Sequence, residues 1–151
     1  MNDARVIALG FFDVIHIGHA ALLRRTRERA DELDCRACAL TFDRHPDAVI
    51  FGTDVPLIAS LPDRELLMKE RFGMDEVLLA HFDHAMMTMP WETFVSDELR
   101  SRLRARHVVC GRDFRFGYRG EGTPERLAGA CRRLGMGCDI IPKVTLDGET
   151  V

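Results

Sequence analysis

Short apolar runs alternate with segments of helical periodicity along most of this 151-residue sequence. Segments in which apolar residues recur every three or four positions, several with capping residues or a closing glycine, occupy about 18–34, 60–73, 90–104 and 123–135. Five apolar runs with the content of strands lie around them, at 6–12, 35–42, 75–80, 106–111 and 138–142. Helices that connect successive strands in this way make right-handed crossovers between parallel strands. The sequence therefore predicts an α/β, Rossmann-like fold with a five-stranded parallel sheet and helices on both faces.

The size and composition of the chain are those of one globular domain. Hydrophobic residues make up 46% and charged residues 30% of the sequence, which is enough for a substantial core. The first residues lack the basic-then-apolar pattern of a signal peptide, and the apolar runs are shorter than the roughly 18 residues that span a membrane. We therefore expect a cytoplasmic protein with no membrane partner.

The pattern of the five cysteines favours reduced thiols over a disulfide framework. Their number is odd, and the sequence shows no export signal. Cys35 and Cys38 lie in a predicted strand, where residues three apart point to opposite faces, so they do not form a metal-binding pair. We predict that Cys110, Cys131 and Cys138 are small core residues.

Positive charge is concentrated in one part of the chain. Residues 100–133 contain ten arginines and three acidic residues, although the whole chain carries a formal charge of −3. A local positive field favours a polyanionic small molecule or nucleic acid. For the arginines at positions 100, 102, 104, 132 and 133 we prefer the alternative of solvated helix faces. Arg112, Arg115 and Arg119 lie in a glycine-rich loop and are stronger candidates for contact with a ligand.

The junction between the first predicted strand and the first helix has the features of a phosphate site. The first backbone N–H groups of a helix have no intrahelical acceptor, and the helix dipole places partial positive charge there. Gly18 removes a Cβ that would keep an anion from this backbone, and His16 and His19 add side-chain donors. An isolated histidine is more often a packing residue, but two histidines around a glycine at such a junction favour phosphate binding.

Three loops follow strand ends that meet at the same edge of the predicted sheet. Ligands of parallel sheets bind beyond the carboxyl ends of the strands. Phe114 and Phe116 lie in a glycine-rich loop, where we expect one ring to anchor the loop on the core and the other to face a flat ligand ring. The candidate site residues of the three loops are His16 and His19, then Asp43, His45 and Pro46, and then Asp113, Phe114 and Phe116.

Three motifs in this order resemble one known family. They are Gly10-x-Phe12-Asp13-x-x-His16-x-Gly18-His19, Thr41-Phe42-Asp43-x-His45-Pro46 and Gly111-x-Asp113-Phe114-x-Phe116-Gly117. The first motif alone is typical of the wider nucleotidylyltransferase superfamily, whereas the three together resemble the adenylyltransferase domain of prokaryotic bifunctional riboflavin kinase/FAD synthetases. The resemblance implies transfer of AMP from ATP to FMN, with release of pyrophosphate, formation of FAD and a need for Mg2+.

The resemblance also implies a role for each matching residue. His16 and His19 would be catalytic, holding the ATP phosphates and stabilising charge as pyrophosphate leaves. Asp113 would lie close to the metal and the flavin, and Phe116 would border the flavin ring. The implied ATP-binding residues are Gly10, Phe12, Asp13, His16, Gly18 and His19, and the implied flavin-binding residues are Asp43, His45, Pro46, Asp113 and Phe116. The attacking FMN phosphate is largely dianionic at neutral pH, so no protein base is required.

The sequence departs from the family pattern at two positions and at its end. Val14 stands where glycine is usual, and Arg44 stands where proline is usual. The family continues with a Ser-Ser-Thr-x-x-Arg type ATP motif and a riboflavin kinase barrel, neither of which is present in residues 1–151. We therefore expect one FMN adenylyltransferase domain, with ATP and FMN as its partners, a kinase domain in cis as the family context, and no nucleic-acid partner.

Two other functions fit the sequence less well. The first is that of another nucleotidylyltransferase, such as a cytidylyltransferase or a pantetheine-phosphate adenylyltransferase, although the aromatic segment at 114–117 argues against this. The second is that of a flavin- or nucleotide-binding module without catalytic activity.

Overall fold

The computed structural model of the protein describes residues 4–10, 17–42, 61–80, 84–112, 114–142, 145–146 and 149–150, without the side chains of 17–19, 42, 61–64, 145–146 and 149–150. Its strands are β1 (Arg5–Leu9), β2 (Arg36–Phe42), β3 (Glu76–Ala80), β4 (Ala105–Gly111) and β5 (Gly137–Ile141). These five form one sheet in the order β3-β2-β1-β4-β5, and every neighbouring pair is parallel. The predicted fold class is confirmed.

Helices cover both faces of this sheet, as the sequence predicts. The longer α-helices are α1 (Ile17–Leu33), α2 (Leu61–Phe72) and, after β4, α5 (Pro124–Leu134). Between β3 and β4 lie α3 (His84–Thr88), α4 (Trp91–Thr93) and a π-helix (Phe94–Arg102). Residues of α1 and α2 form a buried cluster with one face of the sheet, and residues of the π-helix and α5 form a second cluster with the other face.

The strands alternate between these two clusters residue by residue. Val6 and Ala8 of β1 are buried under α1 and α2, whereas Ile7 and Leu9 are buried under the π-helix and α5. This alternation follows from the two-residue period of a strand, and burial on both faces explains why Val6–Leu9 of the central strand are all apolar. Cys35 belongs to the first cluster and Cys38 to the second, so the prediction that they face opposite sides is confirmed.

The segment before β4 differs from the predicted α-helix over 90–104. Only Trp91–Thr93 is α-helical, and Phe94–Arg102 forms a π-helix that ends with a bond from the Leu103 N–H to the Glu98 carbonyl, five residues back. The apolar residues that predict the helix are buried, among them Val95, Leu99 and Leu103. These three residues are four positions apart. That spacing is compatible with the wider turn of a π-helix as well as with the 3.6-residue turn of an α-helix, so the periodicity alone does not distinguish a π-helix from an α-helix.

The ends of α5 follow the predicted capping pattern. The Thr123 side chain accepts a hydrogen bond from the Arg126 N–H at 3.1 Å, and Pro124 occupies the first helical position. Gly135 ends the helix with a φ of 78°, a left-handed conformation that glycine adopts without strain. Residues at each end of α5 therefore determine where the helix begins and where it ends.

A short antiparallel pair, β6 (Thr145–Leu146) and β7 (Glu149–Thr150), follows the sheet and is not anticipated by the sequence analysis. Among the helices in the described part of the chain, none is long and apolar enough to cross a membrane.

Candidate functional site

The strand order reverses at β1 and β4, so a ligand crevice is expected at the carboxyl ends of these two strands. From the central strand β1 the chain moves to β2 and β3 on one side, and then returns to β4 and β5 on the other. Leu9 at the end of β1 pairs with Cys110 near the end of β4. In open parallel sheets, ligands bind at the point where the strand order reverses. The loops that follow β1 and β4 therefore leave the sheet side by side, as a shared ligand site requires.

The first of these loops leads directly into α1. Gly10 is buried at the end of β1, and its N–H donates to the Leu40 carbonyl at 3.3 Å. Helix α1 begins at Ile17, so Gly18 and His19 lie in its first turn, and that turn contains no acidic residue. The helix packs over β1, β2 and β4. Its positively polarised N-terminus consequently lies next to the crevice, which is the placement that phosphate binding needs.

Most of the other predicted site residues fall outside the described residues. These are Phe12, Asp13, His16, Asp43, His45, Pro46 and Asp113, together with the side chain of His19. Their roles stay predictions. Strand β2 ends at Phe42 beside β1, so the segment that carries the second motif also starts at the carboxyl edge of the sheet. The described residues contain no group of three His, Cys, Asp or Glu side chains that could hold a metal ion, and the predicted metal ligand Asp113 is not among them.

Phe116 lies in a buried aromatic cluster. Its ring is 7% exposed and is 5.4 Å from the Phe94 ring, 5.8 Å from Phe114 in a stacked arrangement, and 6.4 Å from Trp91 in an edge-to-face arrangement, measured between centroids. Phe114 is also buried, with 8% of its surface exposed. Both rings therefore anchor the loop on the core, where the sequence analysis expected one to anchor and one to face a ligand. A flavin contact by Phe116 stays a prediction.

The loop around Phe116 is fastened to its surroundings by backbone contacts. Phe116 and Gly122 exchange hydrogen bonds at 3.2 and 2.8 Å, and a Cβ on Gly122 would lie 2.7 Å from atoms of the Phe116 ring. Gly117 has a φ of 78°, and a Cβ there would lie 2.7 Å from the Trp91 backbone. The Tyr118 N–H donates to the Met89 carbonyl at 2.8 Å. The loop is thus held against the segment that leads into the π-helix, and both glycines are required by close packing.

The arginines of this loop mostly support its structure. Arg115 donates to the Gly120 carbonyl at 3.4 Å, and the Arg119 guanidinium lies 5.0 Å from the centre of the Tyr118 ring. Arg112, at the end of β4, is 3.6 Å from the exposed Glu125 carboxylate. Such an exposed pair contributes little stability.

Two supporting residues were missed by the sequence analysis. Trp91 lies in the segment predicted as a helix over 90–104, and it contacts the Phe116 ring and the backbone at Gly117. Arg126 donates to the Glu121 carbonyl at 2.9 Å, and its guanidinium lies 5.9 Å from the centre of the Trp91 ring. No local pattern distinguishes such residues, because their partners lie in a different segment of the chain.

An ion pair with a lowered carboxyl pKa lies at the opposite, amino-terminal edge of the sheet. Arg5 donates to both oxygens of Glu76, at 3.0 and 3.4 Å, and this hydrogen bonding holds the pKa of Glu76 below its ordinary value. Arg36 also lies 3.4 Å from the same carboxylate. The group joins the first residues of neighbouring strands. It is therefore a structural feature, remote from the crevice.

Comparison with known proteins relates this arrangement to one family. A family model described as FAD synthetase matches residues 1–151. A bifunctional riboflavin kinase/FMN adenylyltransferase from Pseudomonas fluorescens is 32% identical over 146 residues, which cover 97% of this chain and 47% of that protein. Proteins of the same name from Haemophilus influenzae and Listeria monocytogenes are 27% and 32% identical, covering 96% and 82% of this chain and 47% and 40% of theirs. The chain thus spans about half or less of the length of these curated relatives.

A solved structure has the same fold. It is described as a macrolide-efflux protein from Streptococcus pneumoniae, and it matches with a TM-score of 0.85 over 99% of this chain and 50% of that one. The sequences are 24% identical, so this likeness supports the fold and carries no argument about function.

Proposed function

This chain belongs to the FAD synthetase family, and from that membership we propose that it is an FMN adenylyltransferase domain that transfers AMP from ATP to FMN. One observation carries the proposal beyond the family match. The first and third motifs that the sequence shares with the family begin at the carboxyl ends of β1 and β4, which are neighbouring parallel strands. A transfer between two substrates requires the residues that bind them to lie at the same edge of the sheet.

The proposed chemistry is an in-line displacement at the α-phosphorus of ATP. An oxygen of the FMN phosphate forms the new bond to phosphorus while the bond to the bridging oxygen breaks, and pyrophosphate leaves with that electron pair. The helix N-terminus at 17–19, with His16 and His19, is proposed to bind the triphosphate and stabilise the charge that develops on the leaving group. Because the FMN phosphate is already largely ionised at neutral pH, catalysis rests on positioning and electrostatics.

The flavin half of the site is proposed from the second and third motifs. Asp43, His45, Pro46 and Asp113 are the proposed flavin-binding residues, since they follow strand ends at the same edge of the sheet. Phe116 joins them in the sequence prediction. Its burial among Phe94, Phe114 and Trp91 supports the narrower role of fixing the loop that follows Asp113.

Several finer parts of the sequence prediction also stay proposals. These are the use of Mg2+ with Asp113 as a ligand, the role of residues 1–151 as one catalytic domain, a riboflavin kinase domain in cis, and a cytoplasmic location. The curated relatives named above are bifunctional, which supports the kinase context.

Incubation of the chain with ATP, FMN and Mg2+, followed by chromatography of the flavins, tests the proposal. Formation of FAD together with pyrophosphate in equal amounts is expected. The same incubation with CTP in place of ATP, or with phosphopantetheine in place of FMN, tests the other nucleotidylyltransferase activities. If no product forms in any mixture but calorimetry detects ATP or FMN binding, the chain is a binding module and the proposed activity is wrong.

A further inference from the structure

Three of the five cysteines form one cluster below the carboxyl end of β4. Cys110 of β4 pairs with Ile140 of β5, and Cys138 of β5 pairs with Val108 of β4. Residues at this offset face the same side of the sheet, and Cys131 of α5 packs on that side in the same buried cluster. The thiols of Cys110 and Cys131 lower the pKa of the Cys138 thiol. Three cysteines from three different elements therefore share one cluster.

The three thiols differ in their exposure. Cys110 and Cys131 are completely buried, whereas Cys138 is only half-buried. Cys138 lies on β5, which is an edge strand of the sheet in the described residues. A small solute thus reaches Cys138 more readily than the other two. None of the three side chains has a part in the proposed adenylyl transfer.

The surroundings favour the thiolate at Cys138 over the thiolate at its neighbours. Hydrogen bonds from Cys110 and Cys131 lower the pKa of the Cys138 thiol, and the nearby His107 lowers it further, against the effects of burial and Asp139. The same hydrogen bonds, together with burial, raise the pKa of Cys110 and Cys131. Because the thiolate is the nucleophile, the most exposed sulfur of the cluster is also the most reactive one.

We propose that Cys138 is a site of oxidation by hydroperoxides, and that Cys110 or Cys131 then forms a disulfide with it. In the first step the Cys138 thiolate attacks the O–O bond of hydrogen peroxide, so that an S–O bond forms and hydroxide leaves. In the second step the neighbouring thiol attacks the sulfenic acid sulfur, the S–S bond forms, the S–O bond breaks and water leaves. Two thiols are oxidised by two electrons in total, and one peroxide is reduced to two waters.

The other two cysteines supply an internal comparison. Cys35 and Cys38 are also buried, but they belong to clusters on opposite faces of the sheet. Burial raises the pKa of Cys38 to about 12, and Glu76 adds to this effect. The proposal therefore predicts that these two thiols stay reduced under conditions that oxidise Cys138.

Peroxide treatment of the reduced chain tests the proposal. The protein is incubated with a small excess of hydrogen peroxide, alkylated under denaturing conditions, and digested without reductant for mass spectrometry. The expected result is a loss of two of the five thiols, and a disulfide between the peptide of Cys138 and that of Cys110 or Cys131. The variant Cys35→Ala is expected to lose two thiols as well, whereas Cys138→Ala is expected to lose none.

A second measurement does not depend on disulfide formation. In the double variant with Cys110→Ala and Cys131→Ala, the sulfenic acid at Cys138 has no partner, and we expect dimedone to label it. Circular dichroism of each variant shows whether the fold is retained, and Cys138→Ser replaces Cys138→Ala if that variant does not fold. Retention of all five thiols in the wild-type chain, oxidation of Cys35 or Cys38 at the same rate, or a sulfenic acid without a disulfide in the wild-type chain would overturn the proposal.

Discussion

Replacement of Phe116 by alanine is expected to destabilise the protein by about 3–5 kcal/mol. The side chain is 7% exposed and has three aromatic neighbours within 6.4 Å, measured between ring centroids. Each such pair contributes about 0.5–1.5 kcal/mol beyond the burial of apolar area. The ring also packs on Gly122. Because glycine has no side chain, it cannot fill the cavity that the alanine substitution leaves. This loss is a large part of the roughly 5–15 kcal/mol that stabilises a typical domain.

The only tryptophan of the chain reports on this change directly. Trp91 is the single tryptophan, and its ring packs edge-to-face against Phe116. Urea unfolding followed by circular dichroism gives the free energy of unfolding, and the emission of Trp91 reports on the cluster in the native state. The matched control is Leu66→Ala, because Leu66 is 55% exposed and should change the stability by less than about 0.5 kcal/mol. A loss below about 1 kcal/mol with unchanged emission would refute the anchoring role of Phe116.

The variant Phe116→Leu separates anchoring from contact with the flavin. Leucine keeps much of the buried apolar volume, so we expect the free energy of unfolding to fall by less than about 1.5 kcal/mol. Anchoring alone predicts that FMN affinity, measured by calorimetry on the folded variant, stays within about twofold of the wild-type value. The flavin contact predicted from the sequence requires a loss of about tenfold, since an aromatic contact contributes up to about 1.5 kcal/mol. ATP affinity in the same variant is the internal control.

Three further predictions concern other parts of the molecule. Thr123→Ala removes the cap of α5 at the Arg126 N–H and is expected to lower the free energy of unfolding by about 1 kcal/mol, with Thr123→Ser close to wild type. Glu76→Gln is expected to lower the free energy of unfolding by about 1–2 kcal/mol at pH 7, measured by urea unfolding. Because the hydrogen bonds from Arg5 lower the pKa of Glu76, this difference is present above the ordinary value near 4.3 and disappears as the pH falls through the lowered value; a constant difference down to pH 3 would contradict it. His19→Ala is expected to lower the rate of FAD formation by about 100-fold or more while FMN affinity is retained, and equal losses in both would exclude a transition-state role.

The features predicted correctly from the sequence are those with local causes. The hydroxyl of Thr123, the fixed φ of Pro124 and the left-handed φ of Gly135 each act within one turn of α5, so the sequence alone predicts where the helix begins and ends. The parallel sheet is predicted for a related reason. Short strands buried on both faces, joined by helices, have few other ways to pack.

The features that the sequence analysis missed depend on partners far along the chain. The π-helix at Phe94–Arg102 has the same apolar positions as the predicted α-helix, and only its backbone hydrogen bonds distinguish the two. The cluster of Cys110, Cys131 and Cys138 depends on the register of β4 with β5 and on where α5 crosses them. Burial of Cys110 and Cys131 is predictable from their apolar surroundings, whereas the placement of Cys138 beside them is not.

The aromatic third motif has a structural role in the loop that follows β4. Phe114 and Phe116 are both more than nine-tenths buried, while Arg115 between them is exposed. Gly117 and Gly122 are needed because the loop approaches Trp91 and the Phe116 ring closely. The aromatic and glycine positions of the motif are therefore explained by the need to hold the end of β4 and its loop in one place. Fixing that loop also fixes the end of β4, which lies beside the end of β1 where the proposed site begins.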